Sequence, residues 1–518
     1  MDTPWAAVHE THIGVVFLLG DRAYKLKKPV DLGFLDFSAR ETRERVCHRE
    51  VELNRRLAPD VYLGVSDVTG PDGSVCDHLV VMRRLPEGRR LSTLVRRGVP
   101  LAVTIRALAR RLAAFHARAE RGPAIDADET RDAVRARWRD SFAQVRPFHG
   151  AVLDPTTALE IEELAEEFLA GREALFDRRI ADGHVVDGHG DLLADDIFCL
   201  EDGPRVLDCL EFDDHLRHVD VLDDVAFLAM DLERLGAPEP AAQLVAAYRE
   251  FSGDPAPPAL LHHYLAYRAF VRVKVACLRS AQGETEAAEL ARDHAGIALR
   301  HLRLGRVRLV LVGGAPGTGK STIAGGLADR LGATLLRSDR LRKELAGLTP
   351  APRPAEGYRQ GLYDSRHTDA TYAELTRRAG ALLALGETVV LDASWSAARH
   401  RRLAADAAGR TGSPVLAVRC EVPETVAADR IATRTPDLSD ATPQIAHRMA
   451  ADADPWPEAH PLTTTGQPRE SITRAVASLV PEHRKSPAER HSGPAGEDGR
   501  GARVEPAAET DSDREAGR

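Results

Sequence analysis

The chain has 518 residues, which is more than one hydrophobic core normally serves and predicts two or three domains. Its net charge of −9 and its 43% hydrophobic content are typical of a soluble protein and disfavour broad binding to nucleic acid or to a membrane surface. The six cysteines lack C-x-x-C spacing, and the sequence shows neither a secretory signal nor a long uncharged apolar run. We therefore expect a cytoplasmic protein with free thiols.

The first predicted element is a β-hairpin over Val15 to Lys27, with Lys25 on its second strand. A helix follows, and Ser38 to Glu41 have the sequence of a capping box at its start. Apolar residues spaced three and four apart place Glu50 within the buried stripe of this helix. Because a buried carboxylate needs a cationic partner, Lys25 is predicted to pair with Glu50, with Lys27 as the alternative lysine.

Three aspartates further along the chain have the spacing of a phosphoryl-transfer centre. Asp191 lies in a loop that starts at His189, Asp196 follows five residues later, and Asp208 ends the second strand of the next predicted hairpin. This is the layout of a protein-kinase-like catalytic centre. Asp191 is predicted to orient or deprotonate an acceptor hydroxyl, and Asp196 and Asp208 are predicted to hold Mg²⁺, which prefers oxygen ligands.

Residues 1–298 resemble the aminoglycoside phosphotransferase-like branch of the protein-kinase fold. The resemblance rests on the loop from His189 to Ile197 and on Val206-Leu207-Asp208. It implies an α+β kinase-like domain in which Lys25 binds the α/β-phosphates of ATP and a helical lobe forms the acceptor pocket. The family usually has Asn where this chain has Asp196, so the expected metal site carries an additional negative charge.

Other features of this half are interpreted as structural. His189 is expected to fix its loop rather than act as a base, and Asp224 belongs to a downstream motif for which no catalytic role is expected. Residues 100–180 and 235–300 carry apolar side chains at helical spacing and are predicted to form the helical lobe.

Residues 299–306 are predicted to link this half to a segment that contains a complete phosphate-binding loop. The sequence from Gly314 to Ser321 matches G-x-x-x-x-G-K-[ST], with an apolar strand before it and a helix-forming run after it. Glycines let backbone N–H groups wrap the phosphates, Lys320 would reach the β/γ-phosphates, and the Ser321 hydroxyl would hold Mg²⁺. The predicted nucleotide-binding residues are Gly314, Ala315, Pro316, Gly317, Thr318, Gly319, Lys320, Ser321 and Thr322.

Alternating strands and helices predict an α/β domain over residues 307–480, with a parallel sheet and a ligand site at the carboxyl ends of the strands. Asp339 is predicted to end the second strand, next to the phosphate-loop strand, and Asp392 to end the third. Because Arg340 and Arg342 flank it, Asp339 is the candidate base for the acceptor. Asp392 is the candidate Mg²⁺ ligand of the Walker-B type, or alternatively an acceptor-binding residue.

Arg430 and Arg434 lie four residues apart on a predicted helix that leads into a loop rich in Pro, Asp and Ser. Such a pair is typical of a lid that closes over the triphosphate and neutralises charge during transfer. With this lid, residues 307–480 resemble the P-loop kinases of the group that contains zeta toxins, chloramphenicol phosphotransferase and polynucleotide kinase. Residues 481–518 contain a single large aliphatic side chain and no aromatic one, and are predicted to be disordered.

The whole chain therefore resembles the bacterial fusion of an aminoglycoside phosphotransferase-like domain with a P-loop kinase-like ATPase domain. The resemblance implies an ATP- and Mg²⁺-dependent phosphotransferase with two nucleotide sites that acts on hydroxyl groups of small molecules. Two alternatives stay open. The P-loop half could be a nucleic-acid end kinase, which the lack of an evident basic stripe with interleaved aromatics disfavours. The N-terminal half could be a nucleotide-binding regulatory module without transfer activity, as Asp196 suggests. The sequence indicates neither the acceptors nor the oligomeric state.

Overall fold

The computed structural model describes residues 5–10, 13–31, 36–348, 360–433 and 442–479. Its first layer is an antiparallel five-stranded sheet with one helix packed on it. The elements are β1 (Ala6–Glu10), β2 (Gly14–Leu19), β3 (Arg22–Lys27), α1 (Arg40–Asn54), β4 (Tyr62–Thr69) and β5 (Val75–Arg83). The strand order is β1-β2-β3-β5-β4, and β2 and β3 form the predicted hairpin.

Helix α1 packs on this sheet through its apolar stripe, in which Cys47 and Val51 join a cluster with Val80 of β5. The predicted capping box is not formed. The Ser38 N–H donates to Asp36 Oδ1 at 2.8 Å, and the Arg43 guanidinium donates to the Ser38 carbonyl at 2.9 Å. The Ser38 N–H and carbonyl are thus bonded to neighbouring side chains, and this helix start has no side-chain cap.

A helical lobe follows, with two short antiparallel strand pairs set into it. Its elements are α2 (Leu91–Arg96), α3 (Ala102–Arg118), α4 (Pro123–Asp126), α5 (Arg131–Val145), α6 (Pro155–Leu169), α7 (Glu173–Ala181), β6 (Val185–Asp187), β7 (Ile197–Leu200), β8 (Gly203–Val206), β9 (His218–Asp220), α8 (Val221–Arg234), α9 (Pro238–Ser252), α10 (Pro258–Ala281) and α11 (Ala287–Leu304). Strand β6 pairs with β9, and β7 pairs with β8. Helix α8 is buried along nearly its whole length, which places its first-turn aspartates inside the lobe.

The C-terminal half is a parallel five-stranded sheet flanked by helices. Its elements are β10 (Leu309–Gly313), α12 (Lys320–Leu331), β11 (Thr334–Arg337), α13 (Ser338–Leu345), α14 (Ser365–Ala384), β12 (Val389–Asp392), α15 (Ala398–Gly409), β13 (Val415–Glu421), α16 (Glu424–Thr433), α17 (Pro443–Ala451), β14 (His460–Thr463) and α18 (Pro468–Leu479). The strand order is β11-β12-β10-β13-β14. The two halves have the α+β and parallel α/β arrangements that the sequence predicts.

The sheet order corrects one prediction about Asp339. Strand β12 lies between β11 and β10, so the strand that ends at Asp392 is the neighbour of the phosphate-loop strand on this side. In addition, β11 ends at Arg337 and α13 begins at Ser338, which places Asp339 in the first turn of a helix rather than at the end of a strand. The alternation of strands and helices along the sequence does not by itself determine the order of the strands in the sheet.

The segment predicted as a linker is largely helical, because α11 continues to Leu304. Around it, one apolar cluster contains side chains of both halves, including Leu175 of the helical lobe and Leu391 of the parallel sheet. Arg172 is 1% exposed at this junction, where its guanidinium donates to the Thr411 carbonyl at 2.8 Å and to Ser413 Oγ at 3.1 Å. The two halves are therefore packed against each other in this structure.

No helix among the described residues is both long enough and apolar enough to cross a membrane. The predicted disordered tail, residues 481–518, and the predicted lid residue Arg434 lie outside the described part of the chain.

Candidate functional sites

The predicted ion pair between Lys25 and Glu50 is present, and Asp208 completes it. Lys25 Nζ lies 2.9 Å from Glu50 Oε1 and 2.5 Å from Asp208 Oδ1. Burial by itself would lower the pKa of Lys25, but the carboxylates of Asp208 and Glu50 outweigh it and raise that pKa well above its usual value. Lys25 is therefore a permanent cation that joins strand β3, helix α1 and the segment after β8.

A second lysine on the same strand, Lys27, was predicted only as the alternative to Lys25, but both lysines contact Glu50. Lys27 is fully buried, lies 2.6 Å from Glu50 Oε2 and also pairs with Glu211. Lys25 and Lys27 are two residues apart, so both side chains leave the same face of β3. Lys27 and Glu211 support Glu50 from the interior, whereas Lys25 is 13% exposed. Side chains two residues apart on a β-strand lie on the same face, and this spacing was the feature of the sequence that could have predicted the joint contact of Lys25 and Lys27 with Glu50.

Helix α8 and helix α10 hold the loop that carries Asp191. Asp224 accepts the backbone N–H groups of His189 at 2.8 Å and Gly190 at 3.0 Å. Arg268 donates to the Gly190 carbonyl at 3.1 Å while it forms two hydrogen bonds with Asp223. These contacts are made to the loop backbone.

His189 and Gly190 have structural roles in this loop. Burial lowers the pKa of His189 to about 4, so the ring is neutral at physiological pH, and its Nε2 lies 3.0 Å from the Leu207 carbonyl. Gly190 has φ +83°, and a Cβ there would lie 2.9 Å from the Leu216 carbonyl. A side chain at this position would therefore be strained and would collide with the backbone.

Asp191, Asp196 and Asp208 lie close enough to interact electrostatically, and Lys25 of the sheet pairs with Asp208. Burial raises the pKa of Asp191 to about 6, although Arg272 opposes the shift. Burial also raises the pKa of Asp196 well above its usual value, and the nearby carboxylates of Asp208 and Asp191 add to the effect. Such mutual repulsion fits a site for a divalent cation, since hard cations are bound by converging carboxylates.

The backbone conformation of Asp208 is unusual. It has φ +62°, in the left-handed region that residues other than glycine rarely adopt. Burial would raise the pKa of Asp208, but Lys25 outweighs this and lowers it. The ion pair with Lys25 and the Tyr62 hydroxyl, which accepts the Asp208 N–H at 3.2 Å, hold the carboxylate in place beside Lys25. Backbone strain of this kind is often found at functional sites.

The phosphate-binding loop connects the buried strand β10 to helix α12, which begins at Lys320. Gly314, Gly317 and Gly319 have φ values of +137°, +81° and +83°. A Cβ on Gly314 would lie 2.7 Å from the Cys420 carbonyl, and one on Gly317 would lie 2.5 Å from the Ala427 carbonyl. These glycines are therefore required both by backbone conformation and by the close approach of β13 and α16.

Two aspartates accompany Lys320 at the carboxyl end of the sheet. Asp392 ends β12 and is 4% exposed; its Oδ2 accepts from Arg337 Nε at 3.2 Å, and its Oδ1 is buried without a hydrogen-bond partner among the described residues. Burial raises the pKa of Asp339; Lys320 opposes the shift, and Asp392 adds to it. A buried carboxylate oxygen without a partner fits a metal-binding role beside the phosphate loop.

The arginines near Asp339 differ from the prediction. Arg340 is exposed. Arg342 is buried, and its guanidinium donates to the Leu362 carbonyl at 2.9 Å and to Thr368 Oγ1 at 3.1 Å. The arginine that contacts an aspartate of this site is Arg337, at the end of β11, which pairs with Asp392. Arg337 was not predicted, because only the arginines that follow Asp339 were considered as its partners.

Of the predicted lid pair, only Arg430 is among the described residues. Its Nη2 donates to the Thr464 carbonyl at 2.8 Å, and the Thr464 hydroxyl donates to the Thr318 carbonyl at 2.6 Å. Arg430 Nη1 lies 3.5 Å from the position that a Cβ on Gly319 would occupy. The arginine is therefore next to the phosphate loop, as a lid residue should be.

A cleft of about 530 Å³ opens beside the first residues of the phosphate loop. Two tryptophans contribute to it: Trp395, which follows β12 with φ +53°, and Trp456, whose ring lies 5.3 Å from the Arg401 guanidinium. The Arg401 side chain is fixed by the Trp395 carbonyl at 2.8 Å and the Pro455 carbonyl at 2.6 Å. This aromatic and basic cleft was not predicted from the sequence, although Trp395 follows the predicted third strand closely.

Comparisons with known proteins find similarity within the C-terminal half and along most of the chain. Residues 309–455 match the family model described as an AAA domain. Uncharacterized proteins of Mycobacterium bovis and Mycobacterium tuberculosis are each 44% identical over 477 residues, which cover 92% of this chain and 95% of the relative.

The similar solved structures include proteins titled as kinases. A choline/ethanolamine kinase family protein from Mesorhizobium loti is 13% identical, with coverage of 58% of this chain and 93% of that chain and a TM-score of 0.35. A gluconokinase from Sinorhizobium meliloti is 19% identical, with coverage of 33% and 91% and a TM-score of 0.26. The family match at residues 309–455 lies within the predicted P-loop domain, residues 307–480.

Proposed function

The chain belongs to the same family as these mycobacterial proteins, and we propose that it is an ATP- and Mg²⁺-dependent phosphotransferase with two nucleotide sites. Its kinase-like folds support the general activity of a phosphotransferase. The observation that carries the proposal of two sites is that each half places one lysine, Lys25 or Lys320, among aspartates of its own. The acceptors would be hydroxyl groups of small molecules, and the protein would act in the cytoplasm, where ATP is abundant.

In the N-terminal site, Lys25 would bind the α/β-phosphates and Glu50 would keep it in place. Asp196 and Asp208 would hold Mg²⁺, which neutralises charge on the triphosphate when bound. Asp191 would accept the proton of the acceptor hydroxyl. The oxygen of that hydroxyl would bond to the γ-phosphorus while the bond between the γ-phosphorus and the β-phosphate oxygen breaks and ADP leaves. A pKa of about 6 suits this task, since the carboxylate is ionised at neutral pH but more basic than an ordinary aspartate.

In the C-terminal site, the backbone N–H groups from Gly314 to Thr322 would surround the phosphates, and Lys320 would contact the β/γ-phosphates. Ser321 and Asp392 would hold Mg²⁺; Oδ1 of Asp392, which has no hydrogen-bond partner among the described residues, supports this choice. Asp339 would accept the acceptor proton. Arg430, and Arg434 with it, would neutralise the charge that develops during transfer.

A second candidate function applies to the N-terminal half alone. Asp196 adds a buried carboxylate to a cluster that already contains Asp191 and Asp208; burial raises its pKa well above the usual value, and repulsion from Asp208 and Asp191 adds to the shift. Such a site could bind nucleotide without transferring phosphate. The half would then be a regulatory module for the P-loop kinase.

Product analysis tests both candidates. The full-length protein is incubated with ATP, Mg²⁺ and a metabolite extract, and phosphorylated products are identified by mass spectrometry. Asp191→Asn and Asp339→Asn variants are run in parallel. Two product sets, each lost in one variant, are expected for two working kinases. Products lost only in Asp339→Asn would support the regulatory role, and products unaffected by either variant would contradict the proposed bases.

A further inference from the structure

A group of metal-ligating side chains lies outside both nucleotide sites. Asp128, His215 and His218 each present one ligand atom, and these three atoms lie within 4.8 Å of one another. Asp128 Oδ2 is 2.8 Å from His215 Nδ1 and 2.6 Å from His218 Nδ1. A tetrahedral zinc ion with bonds of about 2.0–2.2 Å needs ligand atoms roughly 3.3 Å apart, so a small displacement would accommodate it.

We propose that Asp128, His215 and His218 bind a divalent transition-metal ion of the zinc type. Two imidazole nitrogens and one carboxylate oxygen form a set that suits Zn²⁺, with the fourth position left to water. The ion takes the place of the Nδ1 hydrogens, and the two rings bind it as the tautomers protonated at Nε2. Magnesium, which prefers oxygen ligands, is a poor competitor for such a set.

The surroundings make the site accessible and partly pre-organised. The His215 side chain is 75% exposed, so an ion can enter from solvent, whereas His218 is 13% exposed and Asp128 is 24% exposed. The two histidine rings are held nearly perpendicular, with centroids 5.7 Å apart. The His215 N–H donates to Asp213 Oδ1 at 3.0 Å, which fixes the backbone of the turn.

The position of the triad connects it to the loop of Asp191. His215 and His218 flank Arg217, whose guanidinium donates to Asp187 at 2.8 Å and whose carbonyl accepts the Gly188 N–H at 2.8 Å. Asp128 lies on a different segment, just after helix α4. A bound ion would therefore connect the segment of His215 and His218, which contacts the Asp191 loop through Arg217, to the segment that contains Asp128. This connection would stabilise the loop.

Calorimetric titration of the full-length protein with Zn²⁺ in excess Mg²⁺ tests the site. The wild-type protein is expected to bind one ion that is lost, or at least tenfold weakened, in His215→Ala and in His218→Gln. His367→Ala is the matched control, because His367 contacts one carboxylate, Asp364 Oδ1 at 3.0 Å, without a third ligand in the described structure. This variant should bind Zn²⁺ as the wild type does.

Titration with Co²⁺ followed by visible absorption identifies the ligand type. Bands of a nitrogen and oxygen set are expected without the near-ultraviolet charge transfer of a thiolate, which separates the triad from the exposed Cys76. Absence of Zn²⁺ binding by the wild type, thiolate absorption, or binding unchanged in both triad variants would overturn the proposal. Because His215 is largely exposed, His215→Ala keeps the fold and the test remains decisive.

Discussion

The two halves would hold the same phosphate groups by different means. In the N-terminal half, the candidate site consists of side chains from three segments, and ion pairs of 2.9 and 2.5 Å join Lys25 to Glu50 and Asp208. In the C-terminal half, the candidate site consists mainly of backbone. Three glycines with positive φ, Gly314, Gly317 and Gly319, set the conformation of the six residues before Lys320. The first site depends on charges placed by tertiary structure, and the second depends on local conformation.

This difference predicts which substitutions damage each site. A site formed largely by backbone should fail when a Cβ is added to one of its glycines. A side-chain site should respond to changes of charge and metal ligands. In both sites, the loss of the proton-accepting carboxylate should affect transfer far more than binding.

Asp339→Asn is expected to have the largest effect. Phosphoryl transfer by the P-loop half should fall by about 10²- to 10⁴-fold, the usual contribution of a general base, while ATP affinity stays nearly unchanged. Transfer rates and calorimetric affinities of the same variant check this. Asp329→Asn, an exposed charge removal on α12, is the control. A loss of Mg²⁺ or ATP affinity instead would assign Asp339 to the metal and leave Asp392 as the better candidate base.

Gly317→Ala should weaken nucleotide binding by the C-terminal half. Its Cβ would lie 2.5 Å from the Ala427 carbonyl and its φ is +81°, so the loop must change shape; overpacking of this kind costs about 1–3 kcal/mol. Gly325→Ala is the matched control, since a Cβ there meets nothing within 4 Å on helix α12. Nucleotide affinity measured by calorimetry should fall only in the first variant. Equal affinities would show that the backbone of the loop does not form the site.

Arg172→Met tests whether the halves are coupled in stability. The change leaves the Thr411 carbonyl and the Ser413 hydroxyl without this buried donor and should cost about 1–3 kcal/mol. Because one apolar cluster includes both halves, we expect a single unfolding transition that shifts as a whole. Arg178→Met on the same helical lobe, where the side chain is 61% exposed, is the control. A variant that destabilises only one of two separate transitions would contradict the coupling.

Asp196→Asn should have the smallest effect of the four. Removal of one charge from the carboxylate cluster relieves repulsion, so the Mg²⁺ dependence of the N-terminal site should shift by a few-fold while ATP binding persists. Asp202→Asn, on the exposed turn of the same hairpin, is the control. Mg²⁺ titrations of nucleotide binding at this site measure the shift. Identical Mg²⁺ curves for the wild type and Asp196→Asn would show that Asp196 does not contact the metal.

The same contrast explains what the sequence could predict. The phosphate loop is contiguous, and its glycines are fixed by local conformation, so its residues were predictable one by one. Lys25, Glu50 and Asp208 are distant in sequence, and their meeting was predictable from a family resemblance together with the need to pair a buried carboxylate. The insertion of β12 between β11 and β10 was not predictable, because alternating strands and helices do not determine strand order.

Other features depend wholly on tertiary structure. Arg337 reaches Asp392 only because β11 and β12 are neighbours. The Trp395 and Trp456 cleft and the triad of Asp128, His215 and His218 combine segments that no local pattern connects.

The number of nucleotides bound per chain tests the central claim most directly. Calorimetric titration of the full-length protein with a non-hydrolysable ATP analogue and Mg²⁺ should give two bound molecules per chain. Lys25→Ala should remove one of them and Lys320→Ala the other, with each remaining site close to its wild-type affinity. A single bound nucleotide, lost in Lys320→Ala and unaffected by Lys25→Ala, would contradict the account of two nucleotide sites.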